Sequence, residues 1–274
     1  MFFFTVLSLL QRKIALHSNN ARAAAILFNG LAALITLSIV LFFRGGNDIR
    51  VPQNLMAWVL LFITVLTYGI YERERFVVAK LLDASVLTTV SNVSVFVAFF
   101  GSMLLYKEPL SLLRILGGLC IISALVVVSY TGKRVHISKK GLLISVGIFS
   151  ALGIGWMLDK YGAVYFGSDL YSILVWTLPL VFILIPRRPF HELRKELHIS
   201  SWRIFVLAGV NAIGYLLQLK ALALTEATKV IPIVQTSTLF TVLLGIVLLG
   251  EREHVMRKII AGIIAVAGVF LLVR

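Results

Sequence analysis

An internal repeat dominates this sequence. The polar landmarks of residues 81–114 return 143 positions later, in residues 224–257. Both segments are otherwise apolar. Identical pairs are Leu81/Leu224, Ala84/Ala227, Ser94/Ser237, Leu105/Leu248, Glu108/Glu251 and Arg114/Arg257, and similar pairs are Asp83/Glu226, Ser85/Thr228 and Asn92/Gln235. In a membrane protein, such a duplication is typical of a transporter.

The composition places the chain in a membrane. Of its 274 residues, 59% are hydrophobic and 14% are charged, which is too little polar surface for a soluble domain. The net charge of +14 comes from basic residues gathered between apolar stretches. Basic residues beside membrane spans bind anionic headgroups, so this charge indicates membrane anchoring and not nucleic-acid binding.

Apolar runs and their polar breaks predict an all-α integral membrane protein with about ten transmembrane helices. The first repeat, residues 1–131, holds five helices of which the first is short; a basic linker follows at 132–140, and the second repeat is 141–274. The predicted spans are 2–16, 22–43, 54–81, 84–106, 111–130, 141–161, 168–186, 201–223, 227–249 and 256–273.

An odd number of helices in each repeat requires the two copies to cross the bilayer in opposite directions. Inverted repeats usually bracket a central site that opens to either side in turn. The alternative is a duplicated scaffold without a pathway. Of the Lys and Arg residues, 18 lie on one side and eight on the other, which predicts both termini outside if all ten spans cross. Nine crossings with a cytoplasmic N-terminus would orient the other spans in the same way.

Charged residues in span 3 are candidates for function because ionisable groups are expensive in lipid. Tyr68 and Glu72 are the cavity candidates of this span, with Glu74 as a second carboxylate that could exchange a proton. Two structural alternatives stay open. Either the block from Glu72 to Arg75 lies near the headgroups, or Glu72 and Arg75 pair as i,i+3 neighbours.

Polar side chains in the other spans give the remaining cavity candidates. Asn92 and Gln235 occupy equivalent repeat positions and would face each other, either to bind a polar metabolite or to join helices. In span 6, Trp156 precedes Asp159 and is either a stacking surface for a flat substrate or an aromatic residue of the interfacial belt. In span 8, polar residues lie at i, i+4 and i+7 on one helical face. This polar stripe consists of Asn211, Tyr215 and Gln218.

Other residues are assigned to structure. Glu108 and Glu251 precede helices whose N-terminal dipoles a carboxylate complements. Glycines in spans 5 and 10 allow close helix packing, and they are Gly117, Gly118, Gly262 and Gly268. A larger residue at Gly262 is expected to lower the folded yield.

Catalytic, metal-binding and cofactor motifs are not found in the sequence. There is no phosphate-binding loop, and the His191–Glu192 start of a zinc motif has Lys195 where the second histidine belongs. We expect no enzyme activity, cofactor or metal. The segment around residues 187–198 is predicted to be an amphipathic helix on the membrane surface.

The turns at residues 105–110 (LYKEPL) and 249–253 (LGERE), each followed by a glycine-bearing helix, resemble those of the EamA-type branch of the drug/metabolite transporter superfamily. The resemblance implies a multi-pass secondary transporter of the cell membrane that moves a small organic metabolite by alternating access. Proton coupling, and a monomeric or homodimeric state, fit the same interpretation. The alternatives are a membrane-embedded enzyme acting on lipid headgroups and a non-transporting scaffold.

Overall fold

The structure is a computed structural model, and the part of the chain that it describes is built of helices. The described residues are Leu10, Ile14, Leu239 and residues 17–43, 48–81, 84–108, 111–129, 139–185, 190–237 and 255–273. They contain no strand, and the predicted all-α fold is confirmed for them. The helices are α1 (Ala21–Ser38), α2 (Leu55–Leu81), α3 (Ala84–Leu105), α4 (Leu112–Ser129), α5 (Lys139–Phe166), α6 (Ser168–Thr177), α7 (Leu180–Ile183), α8 (Phe190–Ser200), α9 (Trp202–Leu224), α10 (Ala227–Gln235) and α11 (Val255–Val273).

The length and apolar character of these helices suit a lipid bilayer. By length and composition, the described chain contains helices able to cross it at Ala21–Phe42, Leu55–Val78, Leu143–Phe166 and Trp202–Leu224. Shorter apolar helices accompany them at Val90–Leu105, Leu112–Val127, Ser168–Ile183 and Ile259–Leu272. Large apolar side chains on the outside, such as Phe42, Phe62 and Val266, are more than half exposed. An exterior of this kind belongs in lipid.

Contacts between loops identify the two ends of the helix bundle. At one end, Ser168 at the start of α6 donates its backbone N–H to Asp48 before α2, at 2.8 Å. The α3–α4 and α9–α10 turns lie at this end too, because the helices alternate in direction. We name it the Glu108 end. The opposite end is named the α8 end.

At the α8 end, α8 packs on the start of α1. Glu196 of α8 is buried and accepts the backbone N–H groups of Asn19 and Asn20, both at 3.2 Å. The Asn20 side chain caps α1 by accepting from Arg22 and Ala23, and it donates to Glu192 at 2.7 Å. The predicted amphipathic helix therefore forms, and its buried carboxylate anchors it to the protein.

Two apolar clusters form the interior. The larger one joins α1, α2, α5, α6 and α9 around buried Phe28, Phe76 and Tyr171. The smaller one joins α3, α4 and α11 around Phe99 and Ile121. Trp156 of α5 contacts both clusters, so it lies between the two packing units.

The glycines of α4 and α11 differ in their packing. A Cβ added to Gly117 would lie 2.8 Å from the carbonyl oxygen of Gly268, and one added to Gly268 would lie 2.7 Å from that of Gly117. A Cβ on Gly118 would collide with the Phe99 ring. At Gly262, however, a Cβ would meet no described atom within 4 Å, so the prediction of tight packing there is wrong. Gly262 lies on a different face of α11 from Gly268.

Proline divides one predicted span and lies inside another. The span predicted at 168–186 is divided into α6 and α7 at Pro179, whose missing N–H interrupts the helical hydrogen bonds. Of the span predicted at 227–249, the structure describes α10 (Ala227–Gln235), with Pro232 inside it, and the few residues that follow up to Leu239. Residues 240–254 and most of predicted span 1 lie outside the described residues, as does most of the predicted linker.

Candidate functional site

A buried carboxylate surrounded by tyrosines lies in the interior. Asp159 of α5 has no solvent exposure. The Tyr68 hydroxyl donates to its Oδ2 at 2.7 Å, and the hydroxyls of Tyr215 and Tyr171 donate to Oδ1 at 2.8 and 3.1 Å. We name these four residues the Asp159 cluster. Because Tyr68 belongs to the first half of the chain and the others to the second, the cluster joins the halves.

Small residues of α5 make room for the tyrosine rings. Gly155 and Gly162 lie four residues before and three after Asp159, on the same helical face. A Cβ at Gly155 would lie 2.9 Å from the Tyr68 ring, and one at Gly162 would collide with the Tyr171 ring. Larger side chains at these positions would push the hydroxyls away from the carboxylate.

Edge-to-face contacts hold the rings in place. The centroids of Tyr68 and Tyr215 are 6.3 Å apart at an interplanar angle of 87°, and Trp176 meets Tyr215 at 5.8 Å and 80°. Such arrangements match the positive edge of one ring to the negative face of the next. These contacts hold the hydroxyl groups toward Asp159.

Neutral donors are the partners of Asp159. The described chain places no lysine or arginine at ion-pair distance from this carboxylate. Burying a charge costs several kcal/mol, and each hydrogen bond to a charged group returns about 1.5–3 kcal/mol. The three hydrogen bonds together therefore return about as much free energy as the burial of the ionised carboxylate costs. A protonated carboxyl fits as well, since a tyrosine hydroxyl can rotate to accept its proton.

Glu72, the charged candidate of span 3, has a cationic partner. Arg75 donates to both its carboxylate oxygens, at 2.8 and 3.0 Å, and Asn29 of α1 donates to Oε2 at 3.0 Å. Both ionic groups are buried. The i,i+3 pairing interpretation is confirmed, and the position of this block relative to the headgroups stays a prediction.

The guanidinium of this pair also packs on aromatic rings. The Arg75 Cζ lies 4.7 Å from the centroid of Phe28 and 5.3 Å from that of Tyr71. Glu74 points elsewhere and binds Arg22 at 3.2 Å in a partly exposed pair. Residues 72–75 thus divide into a buried pair and a surface group.

Glu108 caps a helix of the other half of the chain. Its carboxylate accepts the backbone N–H groups of Ala227 and Thr228 at the start of α10, at 2.9 and 3.1 Å, and also the Thr228 hydroxyl. Lys160 of α5 donates to it at 2.7 Å. The sequence predicted a carboxylate serving the next helix in the chain, α4, and this partner was wrong. The equivalent Glu251 lies outside the described residues.

The environment of Glu108 favours its charge. Burial disfavours the ionised form, but the hydrogen bonds from Lys160 and Thr228 outweigh it and hold the pKa of Glu108 below its usual value. Glu226 is similar: burial opposes its charge, while Lys229 and Arg114 lower its pKa. Both groups stay ionised near neutral pH.

Further contacts join the halves at the Glu108 end. Arg114 of α4 binds Glu226 before α10 at 2.9 Å. The Tyr106 hydroxyl donates to the carbonyl oxygen of Met157 at 2.6 Å and accepts the backbone N–H of Tyr161 at 3.2 Å. Movement of one half relative to the other at this end would have to break these bonds.

The amide candidates have fewer defined partners. Asn211 and Gln218 are buried on the same α9 face as Tyr215, and neither forms a hydrogen bond with the described part of the chain. Asn92 is buried on α3, and Gln235 ends α10, which packs on α3. That Asn92 and Gln235 face each other stays a prediction. Trp156 is partly buried between the two apolar clusters.

The sequence pattern marks Asp159 only as a neighbour of Trp156, and it singles out neither Tyr171 nor Asn29. A signal for Asp159 existed, because an isolated carboxylate in an apolar span is rarely without function. Tyr171 and Asn29 gave no comparable signal, since their partners are distant in the chain. No group of three or more His, Cys, Asp or Glu suited to a metal occurs among the described residues.

Comparisons with known proteins agree with this architecture. No curated protein matches the chain significantly. A solved structure titled "Crystal structure of protein" has the same fold: the match covers 98% of this chain and 94% of the other, with a TM-score of 0.64 and 15% identity. The model of the EamA-like transporter family matches residues 139–274. The chain is therefore an integral membrane protein of the EamA-like transporter family, in the drug/metabolite transporter superfamily.

Proposed function

We propose that this protein is a secondary transporter that moves a small organic metabolite across the cell membrane by alternating access. The observation that carries the proposal is the Asp159 cluster, a buried polar site at which both halves of the chain meet. Binding at an interface between inverted repeats lets a substrate be reached from either side as the halves move.

The substrate site that we propose extends from the Asp159 cluster along α9. Asn211 and Gln218 flank Tyr215 on one face and are both buried without a hydrogen bond to the described chain. Buried amides are stable only when their donors and acceptors are satisfied. A polar metabolite would supply the missing partners, with Tyr68 and Trp156 as aromatic walls.

The Glu108 end supplies one of the two gates in this proposal. Glu108 and Arg114 of the first half hold α10 and Glu226 of the second. These bonds form when the site is closed at this end and break when it opens there. The excess of basic residues lies at the α8 end, so by the positive-inside rule we expect the Glu108 end to face the outside of the cell.

A binding screen followed by transport measurements tests the proposal. Metabolites are first screened for those that raise the melting temperature of the purified protein, since a ligand stabilises the state that it binds. Candidates are then tested for uptake and counterflow in proteoliposomes. Protein-free liposomes measure the leak.

A matched pair of variants links any transport to the site. Gln218→Ala removes a buried amide on the Tyr215 face, whereas Leu217→Ala changes the neighbouring residue, which is 51% exposed on the outer surface. We expect Gln218→Ala to raise the substrate concentration for half-maximal uptake at least several-fold and Leu217→Ala to leave it unchanged. Equal effects would contradict the site. No uptake or counterflow of any compound would favour a scaffold.

A further inference from the structure

Two buried carboxylates within membrane-crossing helices differ in the charge of their surroundings. Glu72 of α2 is bound by the Arg75 guanidinium at 2.8 Å. Asp159 of α5 is bound by three neutral hydroxyl groups. The first carboxylate is part of a neutral ion pair, and the second is a charge without a counterion among the described residues.

This difference determines which carboxylate can change its charge. Protonation of Glu72 would leave Arg75 buried without its anionic partner, which is strongly unfavourable. Protonation of Asp159 leaves no described cation without its partner, and it removes a buried negative charge. Glu72 therefore suits a permanent structural pair, whereas Asp159 suits a site that gains and loses a proton.

The groups facing Asp159 from the neighbouring helices support this assignment. Tyr68 of α2, Tyr171 of α6 and Tyr215 of α9 contact it directly, and Tyr106 after α3 lies within Coulombic range. The nearby cations are engaged elsewhere. Lys160 binds Glu108 at 2.7 Å, and Lys229 at the start of α10 binds Glu226 at 2.8 Å.

We propose that Asp159 is the proton-binding residue that couples transport to a proton gradient. The inference rests on the proposed transport function. One proton from the aqueous phase adds to the Asp159 carboxylate to give the neutral acid, and it leaves by the reverse step. The carboxylate accepts from both halves, while the acid has less acceptor capacity and must itself donate.

Protonation in this scheme weakens the link between the halves. Tyr68 of the first half donates to Oδ2, and Tyr171 and Tyr215 of the second donate to Oδ1. When Asp159 becomes an acid, at least one hydroxyl must turn from donor to acceptor or release the carboxyl. The charge of one residue thereby controls contacts between α2, α6 and α9.

Infrared spectroscopy tests proton binding without a transported compound. Protein in lipid bilayers is titrated between about pH 5 and 8, and the C=O band of protonated carboxyl groups is followed. Histidines titrate in this range but do not give this band. We expect a titrating band in the wild type that is absent in Asp159→Asn and retained in Glu74→Gln, the matched carboxyl control.

A second variant keeps the test valid if Asp159→Asn does not fold. Tyr215→Phe removes one donor and retains the carboxyl group, so the band should remain and change its frequency. A wild-type spectrum without a titrating carboxyl band would overturn the inference. So would a band that persists in folded Asp159→Asn or is unmoved by Tyr215→Phe.

The transport measurements distinguish this inference from the proposed function. If Asp159 titrates and no metabolite is transported, the proposed function fails while the proton site stands. If a metabolite is transported and no carboxyl titrates, the proton site fails alone. When both are found, an imposed pH gradient should accelerate uptake by the wild type and by Glu74→Gln, and should have no effect on Asp159→Asn.

Discussion

Replacing Glu72 with glutamine should strongly destabilise the protein. The substitution keeps the side-chain shape but removes the negative charge that faces Arg75, whose nitrogen lies 2.8 Å from the carboxylate. Removing one partner of a buried ion pair costs about 3–5 kcal/mol. For a protein of this size, each kcal/mol lowers the melting temperature by roughly 2–4 °C. Glu72→Gln should therefore melt roughly 6–20 °C below the wild type.

Glu74→Gln provides the matched control in the same helix. Its pair with Arg22 is partly exposed, and such pairs contribute about 0–1 kcal/mol. The expected loss of melting temperature is below about 4 °C. Both variants are measured by thermal unfolding in the same detergent, which gives an apparent melting temperature even when unfolding is irreversible.

A double variant separates two effects: the loss of the ion pair itself and the cost of leaving Arg75 buried without its anionic partner. Glu72→Met combined with Arg75→Met replaces the pair by apolar groups, which is often neutral or stabilising in a buried site. The double variant should recover most of the melting temperature that Glu72→Gln loses. The reasoning is refuted if Glu72→Gln melts within about 4 °C of the wild type, the limit set for the exposed pair.

Two other predictions concern helix packing and the Glu108 end. Gly268→Leu should greatly lower the folded yield measured by size-exclusion chromatography, whereas Gly262→Leu should not, because within the described chain a Cβ on Gly268 would meet a neighbouring backbone and one on Gly262 would meet no atom within 4 Å; equal yields would contradict the close contact. Glu108→Gln should lower the melting temperature at neutral pH by the loss of a charged cap, about 1–2 kcal/mol. Because folding lowers the pKa of Glu108, its stabilisation is present above the usual carboxyl pKa and lost as the pH falls. Melting curves of Glu108→Gln should accordingly show a smaller loss of stability on acidification, and an unchanged acid dependence would refute the assignment.

The helical fold was predictable because it follows from features local in sequence. Apolar runs of membrane-crossing length gave spans whose ends agree with α2 and α3 within one residue. Their accuracy fell where proline interrupts the helical hydrogen bonds, as at Pro179. Hydropathy does not register such a break, since both sides of it remain apolar.

The candidate site was only partly predictable because its contacts join distant residues. Glu72 and Arg75 are one helical turn apart, so their pairing could be anticipated from spacing. The Tyr68–Asp159 bond spans 91 residues, and the Glu108–Thr228 bond spans 120. Helical periodicity shows which face a residue occupies, but not which helix packs against that face.

Two carboxylates, Glu108 and Asp159, each connect the halves of the chain, and their partners give them different capacities. Apart from the Thr228 hydroxyl, the partners of Glu108 are backbone N–H groups and Lys160, which can only donate, so a proton on this carboxylate loses favourable contacts. Asp159 binds tyrosine hydroxyls, which donate or accept as required. The link at the Glu108 end is consequently tied to a fixed charge, while the interior link can persist in altered form after protonation. In the proton coupling that we propose, this second kind of connection lets one residue hold the halves together differently in its two charge states.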